Sequence, residues 1–291
     1  MASVAKTVKQ RIQDELDGLT RSERQLGSVL LQDYPMGGLQ SITKLAAAAQ
    51  VSTPTVIRMA RKLGFDGFPA LQEALREEVA AQIQKPISKR DAWIVDDETE
   101  HPITRFAQAV WTNMRHTLER LDKLMFDAVA QLLADTERHL YVVGGRITRS
   151  NADYLFNHMQ IIRPNVTMLG NSANVWPQYL LDMDESSVLV IFDIRRYEAH
   201  LEKLAQVASD RGVTVVLFTD QWGSPIGRSA NYTFHALVEA PSSWDSTIAL
   251  QLISETLIAE VQEARWEESK ERIEELERYF STTRIFRNHE A

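Results

Sequence analysis

The chain contains no cysteine. That excludes disulfides, thiolate nucleophiles and cysteine-based zinc sites. Its seven histidines are scattered, with no HxxxH or HExxH pair, so no metal, no catalytic set and no cofactor is expected. No apolar run approaches the ~20 residues that span a bilayer. The first residues, MASVAKTVKQ, lack the apolar stretch of a secretion signal. These absences predict a cytoplasmic protein with no membrane partner. An excess of basic charge is missing as well: 32 Lys+Arg stand against 40 Asp+Glu, a net charge of −8. Spread evenly, that balance would disfavour nucleic acid.

It is not spread evenly. Residues 1–90 hold 13 basic and 9 acidic side chains, and the remainder hold 19 and 31. A basic small part joined to an acidic large part is what a DNA reader fused to a sensing domain would show. At 291 residues the chain has room for two cores.

The basic part is organised around VSTPTVIRMARKLGFDGF, residues 51–68. Before it, Ile42, Leu45, Ala46 and Ala49 fall on one face at helical spacing. Val51 sits in a turn, Ser52 or Thr53 can cap a second helix, and Pro54 falls in its first turn. Val56, Met59, Ala60 and Leu63 make the predicted buried stripe. Thr53, Thr55, Arg58 and Lys62 are left outside, and Gly64 ends the helix. Hydroxyls at Ser52, Thr53 and Thr55 followed by Arg58, Arg61 and Lys62 suit a recognition helix, with N-terminal residues on base edges and cations on phosphates. An ordinary amphipathic helical hairpin has the same spacing.

Around this hairpin, Val4, Val8, Ile12 and Leu16 predict a helix over 4–17, and Thr20 with Glu23 forms a capping box for another. A further helix over 69–83 completes an all-α domain, residues 1–82. The stretch 83–101 breaks the periodicity with Pro86, basic residues and an acidic cluster, and reads as a linker. Residues 102–134 predict two helices. Then HLYVVGG, NVTMLG, SSVLVIFD, VTVVLFTD and YTFHALV alternate with helical stretches, which predicts an α/β domain over 102–291 with a mostly parallel sheet flanked by helices. Ligands bind such sheets at the carboxyl ends of the strands. Those ends carry Gly144 to Ser150, Asp193 to Tyr197 and Thr219 to Pro225; Trp176, Trp222 and Trp244 flank these loops, where core packing or a subunit interface is the favoured reading for each. A charged helix over 265–279 is expected to be solvated or in a subunit contact.

The run Ser41-Ile-x-x-Leu-Ala … Val51-Ser-x-x-Thr55-Val-x-Arg58-x-x-x-Lys62-Leu-Gly-Phe-x-Gly-Phe68 resembles the RpiR/MurR family of bacterial transcriptional regulators. The strand order and Ser224-Pro-Ile-x-x-x-Ala230-Asn231 resemble the SIS (sugar isomerase) domain that those regulators carry. The resemblance implies a regulator whose SIS domain binds a phosphorylated sugar or related metabolite. The loops depart from the family pattern. Where the first loop usually reads G-x-G-x-S, Arg146 replaces a glycine and Thr148 the serine. Where the second reads S-x-S-G-x-T, Asp193 and Arg195 replace the serines, Arg196 the glycine and Glu198 the threonine. Arginine cannot give the close backbone approach that glycine gives.

Two readings stay open at this site. Arg146, Arg195 and Arg196, with Gly144, Thr148, Ser150, Asp193 and Ser224, could clamp a carboxylate or phosphate. Or Asp193 could pair with one of the arginines, leaving the cluster structural. The SIS fold also hosts aldose–ketose isomerases, for which Glu198, His200 and His235 are the available bases. The favoured expectation is a non-enzymatic regulator, a homodimer or homotetramer on a double-stranded, inverted-repeat DNA operator with half-sites roughly 34 Å apart.

Overall fold

The computed structural model describes residues 6–84, 86–87, 89 and 100–284. Val4 and most of the expected linker, residues 90–99 included, lie outside the described residues. The chain divides into two compact units, Met1–Ser88 and Lys89–Ala291.

The first unit is all helical: α1 (Val8–Asp14), α2 (Arg21–Gln32), α3 (Ile42–Ala48), α4 (Thr53–Lys62) and α5 (Phe68–Ile83). The predicted capping box is present, Glu23 N donating to Thr20 Oγ1 and Thr20 N to the Glu23 carboxylate at 2.8 Å. A second box, Thr7 with Gln10, starts α1 later than its apolar spacing suggested. Leu16, expected on the buried face of that helix, is 40% exposed. Leu45, Ala46 and Ala49 of the hairpin's first half meet Val56, Met59, Ala60 and Leu63 of its second in one core with Leu26, Leu30, Leu71 and Leu75. Burial of that stripe holds α4, since a ten-residue helix is marginal by itself in water. Gly64 takes φ +85°, the left-handed conformation that ends α4.

The second unit opens with α6 (Pro102–Glu119) and α7 (Lys123–Ala134). Then β1 (His139–Gly144), α8 (Arg149–Ile162), β2 (Val166–Met168), α9 (Trp176–Leu180), β3 (Ser187–Phe192), α10 (Ala199–Asp210), β4 (Thr214–Asp220) and β5 (Tyr232–Ala236) alternate. α11 (Ile248–Ala264) and α12 (Trp266–Thr283) close it. The sheet order is β2-β1-β3-β4-β5, and every pairing is parallel. β3 is buried along its whole length, as its continuous SVLVIF run requires. Right-handed crossovers put α8 and α10 on opposite faces, because the chain leaves β1 toward one edge and β3 toward the other. On the α10 side Leu201, Leu204, Ala205 and Ala208 pack on Val143, Leu189, Ile191, Val215 and Leu217. This strand order reverses direction between β1 and β3, so the crevice for a ligand opens at their carboxyl ends.

The charged tail is neither loose nor simply solvated. In α12, Ser269 is buried with its hydroxyl on Ile162 O, and Arg272 donates to Ile161 O at 2.8 Å and Gln160 O at 2.7 Å. It thus satisfies carbonyls that the end of α8 leaves unpaired.

Candidate functional site

α4 buries one side and exposes the other. Val56, Met59, Ala60 and Leu63 are at most 3% exposed, while Arg58, Arg61 and Lys62 are exposed and Thr53 is half-buried. Ser52 occupies the N-cap position, but its hydroxyl pairs with Thr55 Oγ1 at 3.0 Å rather than with a backbone amide. Thr55 departs from expectation. It is buried, and its hydroxyl also accepts from Arg58 Nη2 at 3.3 Å. The spacing rule that grouped it with Arg58 and Lys62 could not see that it lies at the border of the apolar stripe. Its geometry fits a brace for Ser52 and Arg58 better than a base contact. Lys62 is likewise engaged, donating to Gly18 O and pairing with Glu23 at 3.3 Å. Glu23 is held below the usual carboxylate range, chiefly by the Thr20 amide. Arg58 and Arg61 are thus the helix's exposed cations with no ion pair among the described residues.

At the strand ends the picture reverses: most polar groups are already spent on one another. Gly144 ends β1 where an added Cβ would meet the Thr148 carbonyl at 2.6 Å, so the turn into α8 closes only over glycine. Thr148 Oγ1 donates to Phe192 O at 2.6 Å and accepts from Gly145 N at 3.0 Å. Ser150 Oγ donates to Ile147 O. Asp193 Oδ2 accepts from Ser224 Oγ at 2.6 Å, and its Oδ1 from Glu198 N at 3.3 Å. Burial pushes the Asp193 carboxyl up to about 7, helped by the charges of Asp220 and Glu198. The alternative in which Asp193 pairs with an arginine is therefore replaced: its partners are a hydroxyl and an amide.

Arg195 pairs elsewhere. Its Nε and Nη2 grip Asp245 at 2.8 and 2.7 Å, Glu239 lies 3.6 Å away, and the guanidinium stacks 4.1 Å over Trp222. Its side chain is 4% exposed, so it is not an open clamp. Lys89, from the expected linker, reaches the same Asp245 at 2.6 Å and Trp244 O at 2.7 Å. The two cations hold the Asp245 carboxyl below its ordinary value despite burial. Asp220, at the end of β4, accepts from Arg195 N, Tyr197 Oη, Trp222 N and Gly223 N. Of the three expected arginines, Arg146 and Arg196 remain exposed. The backbone N–H of Arg146 donates to Glu198 Oε1 at 2.6 Å.

Sequence reasoning missed Asp220, Tyr197, Asp245 and Lys89. A carboxylate closing FTD and another within SSWDS are visible in the sequence, but their side-chain partners lie 23 to 156 residues away. As isomerase bases, His200 is exposed, His235 sits on the Asp220 carbonyl at 3.0 Å, and Glu198 is taken by the Arg146 amide. Among the described residues no group of three or more His, Asp or Glu could hold a metal. Among the described residues no helix is long and apolar enough to cross a membrane.

Comparison with known proteins agrees with this division. Residues 6–82 match the rpiR-family helix-turn-helix domain, and residues 132–260 match the SIS domain. The regulator HexR of Escherichia coli is 24% identical over 250 residues, 84% of this chain and 81% of that protein. HexR of Pseudomonas aeruginosa is 25% identical over 234 residues, 77% of each chain. In fold, the chain is similar to NanR of Vibrio vulnificus, solved with ManNAc-6P (TM-score 0.56, 17% identity, 97% of this chain and 100% of that one). It is also similar to the sugar isomerase domain of an RpiR transcription factor from Sphaerobacter thermophilus (TM-score 0.56, 20% identity, 61% of this chain and 98% of that one). With an rpiR-family helix-turn-helix followed by a SIS domain, and regulators as relatives along most of its length, the chain belongs to the RpiR family of transcriptional regulators.

Proposed function

We propose that α4 reads an operator through Thr53, Arg58 and Arg61, and that the SIS domain adjusts the affinity in response to a small anionic metabolite. The observation that carries the first half is the exposure of Arg58 and Arg61 on a helix whose opposite side is sealed in the core. Arg58 can fork onto a guanine edge, and Arg61 can hold phosphate. Lys62 reaches phosphate only by leaving Gly18 and Glu23. Ser52 and Thr55 set the start of the helix rather than touch bases.

The effector enters at the ends of β1 and β3. Support comes from the switch point in strand order, from the exposure of Arg146 and Arg196, and from the fold-level likeness to NanR, solved with ManNAc-6P. A sugar phosphate or another carboxylate or phosphate compound is the class such groups recognise. The protein works without turnover and in the cytoplasm. It works as a homodimer or a larger even-numbered oligomer: Ile103, Trp111 and Leu118 recur along α6 with 70%, 69% and 46% of their surface exposed, an apolar face suited to a second copy. The effector changes DNA affinity only through its unequal binding to two arrangements of the assembly.

The test is a gel-shift titration of the purified protein on its own upstream promoter region at low salt, repeated with a panel of sugar phosphates and organic acids. Saturable, sequence-specific binding that one metabolite shifts supports the reading. Indifference to that DNA at low salt ends it.

A further inference from the structure

The first loop at the switch point has the backbone of an anion site: a glycine pair, an N–H at Arg146 that no backbone carbonyl takes, and the start of α8 close behind. That N–H is not waiting for a ligand. Glu198 Oε1 sits on it at 2.6 Å, and an added Cβ on Gly145 would come within 3.0 Å of the same oxygen. The carboxylate is therefore packed against the loop, not merely near it. Two neighbouring polar groups of the loop are consumed as well. The Gly145 N–H is covered by Thr148 Oγ1 and Phe192 O, and the Thr148 hydroxyl by Phe192 O. Glu198 is itself positioned from below, because its own N–H donates to the buried Asp193, which Ser224 fixes.

We propose that Glu198 is a built-in competitor at the effector site: its carboxylate occupies the anion position on the Arg146 amide, and an effector's acidic group binds there only by displacing it. This deepens the sensor reading above and rests on it. Two consequences follow. Affinity for simple anions is reduced by the fraction of molecules in which Glu198 is seated. Displacement also frees the residue that starts α10, so the ligand's entry is coupled to the β3–α10 loop. A compound that offers enough further contacts, to hydroxyls or to Arg146 and Arg196, overcomes the competition where bare phosphate does not.

The test uses inorganic phosphate, titrated calorimetrically into the full-length protein, with the Arg146 amide resonance followed by NMR. Glu198→Ala empties the position and should tighten phosphate binding about 10-fold to 100-fold, the worth of one amide bond to a charged acceptor. Glu198→Asp keeps the charge but draws it back by one methylene, and should also tighten binding. Glu198→Gln loses the charge but still accepts from the amide, and should tighten binding less than Glu198→Ala does. A general field effect gives another order, with Ala and Gln alike and Asp unchanged; that order, or no tightening in the Ala variant, overturns the proposal. Circular dichroism of each variant guards against misfolding, and the Asp and Gln variants decide the matter if Ala fails to fold. The outcome is separable from the sensor reading. Tighter phosphate binding with operator affinity indifferent to every metabolite leaves the competition standing and removes the sensor.

Discussion

α4 and the strand-end cluster are built from the same residue types and do opposite things with them. On α4, Arg58 and Arg61 stand in solvent beyond an apolar stripe. At the strand ends Arg195 is sunk between Asp245, Glu239 and Trp222. A cation left in water costs the fold nothing and is available to phosphate. A cation removed from water must be matched within the chain, and is then part of the structure. Availability for a ligand is therefore a matter of who else has already claimed the group.

The sharpest way to break this contrast is to delete one arginine from each region. Arg195→Ala leaves the buried Asp245 with Lys89 as its remaining cation and should cost about 3 kcal/mol in chemical denaturation, the penalty of a buried charge that loses part of its pairing. Arg58→Ala should leave stability within about 0.5 kcal/mol. Equal losses in the two variants would erase the distinction. A second test is the pH dependence of folding. With its carboxyl raised to about 7 in the fold, Asp193 binds its proton more tightly folded than unfolded. Its contribution is thus complete below about pH 4, falls as the pH rises to about 7, and is flat above; the span is at most roughly 4 kcal/mol. Asp193→Asn should remove that share of the slope in melting curves from pH 4 to 8. A parallel slope in both proteins would mean the carboxyl is ionised throughout.

Smaller effects sharpen the DNA side. Arg58→Ala should weaken operator binding by about 1–3 kcal/mol and relax preference at a single base pair. A loss equal on all sequences would make it a phosphate contact. Lys62→Ala should cost at most about 1 kcal/mol in stability, as expected for a half-exposed ion pair. It should weaken DNA binding less than Arg58→Ala in a fluorescence anisotropy titration. The reverse order would show that Lys62 leaves Glu23 when DNA arrives.

What could be read in advance divides along the same line. The hairpin, its stop at Gly64 and its buried stripe were legible because a helix repeats every three to four residues, so Leu45, Val56 and Met59 announce their burial locally, whereas the hydroxyl of Ser52 was expected on a backbone amide and lies on Thr55 instead. Thr55 misled because it lies on the edge of that stripe, where the period does not decide between inside and outside. The five strands were legible as apolar runs. The use of Arg195 was not, because its carboxylate is 50 residues onward, in a loop with no periodicity to mark it.

The sequence by itself determined the division into a basic helical part and an acidic α/β part, the helix α4 with Arg58, Arg61 and Lys62 outside its buried stripe, and the loops that would end the strands. Those are outcomes of composition, short-range spacing and turn residues. Only the tertiary structure decided that Glu198 lies on the Arg146 amide, that Asp193 pairs with Ser224, and that Lys89 and Arg195 share Asp245. The physical reason is that strand order and register bring together groups 31 to 156 residues apart. Charges that meet away from water select partners by proximity, which no local pattern records.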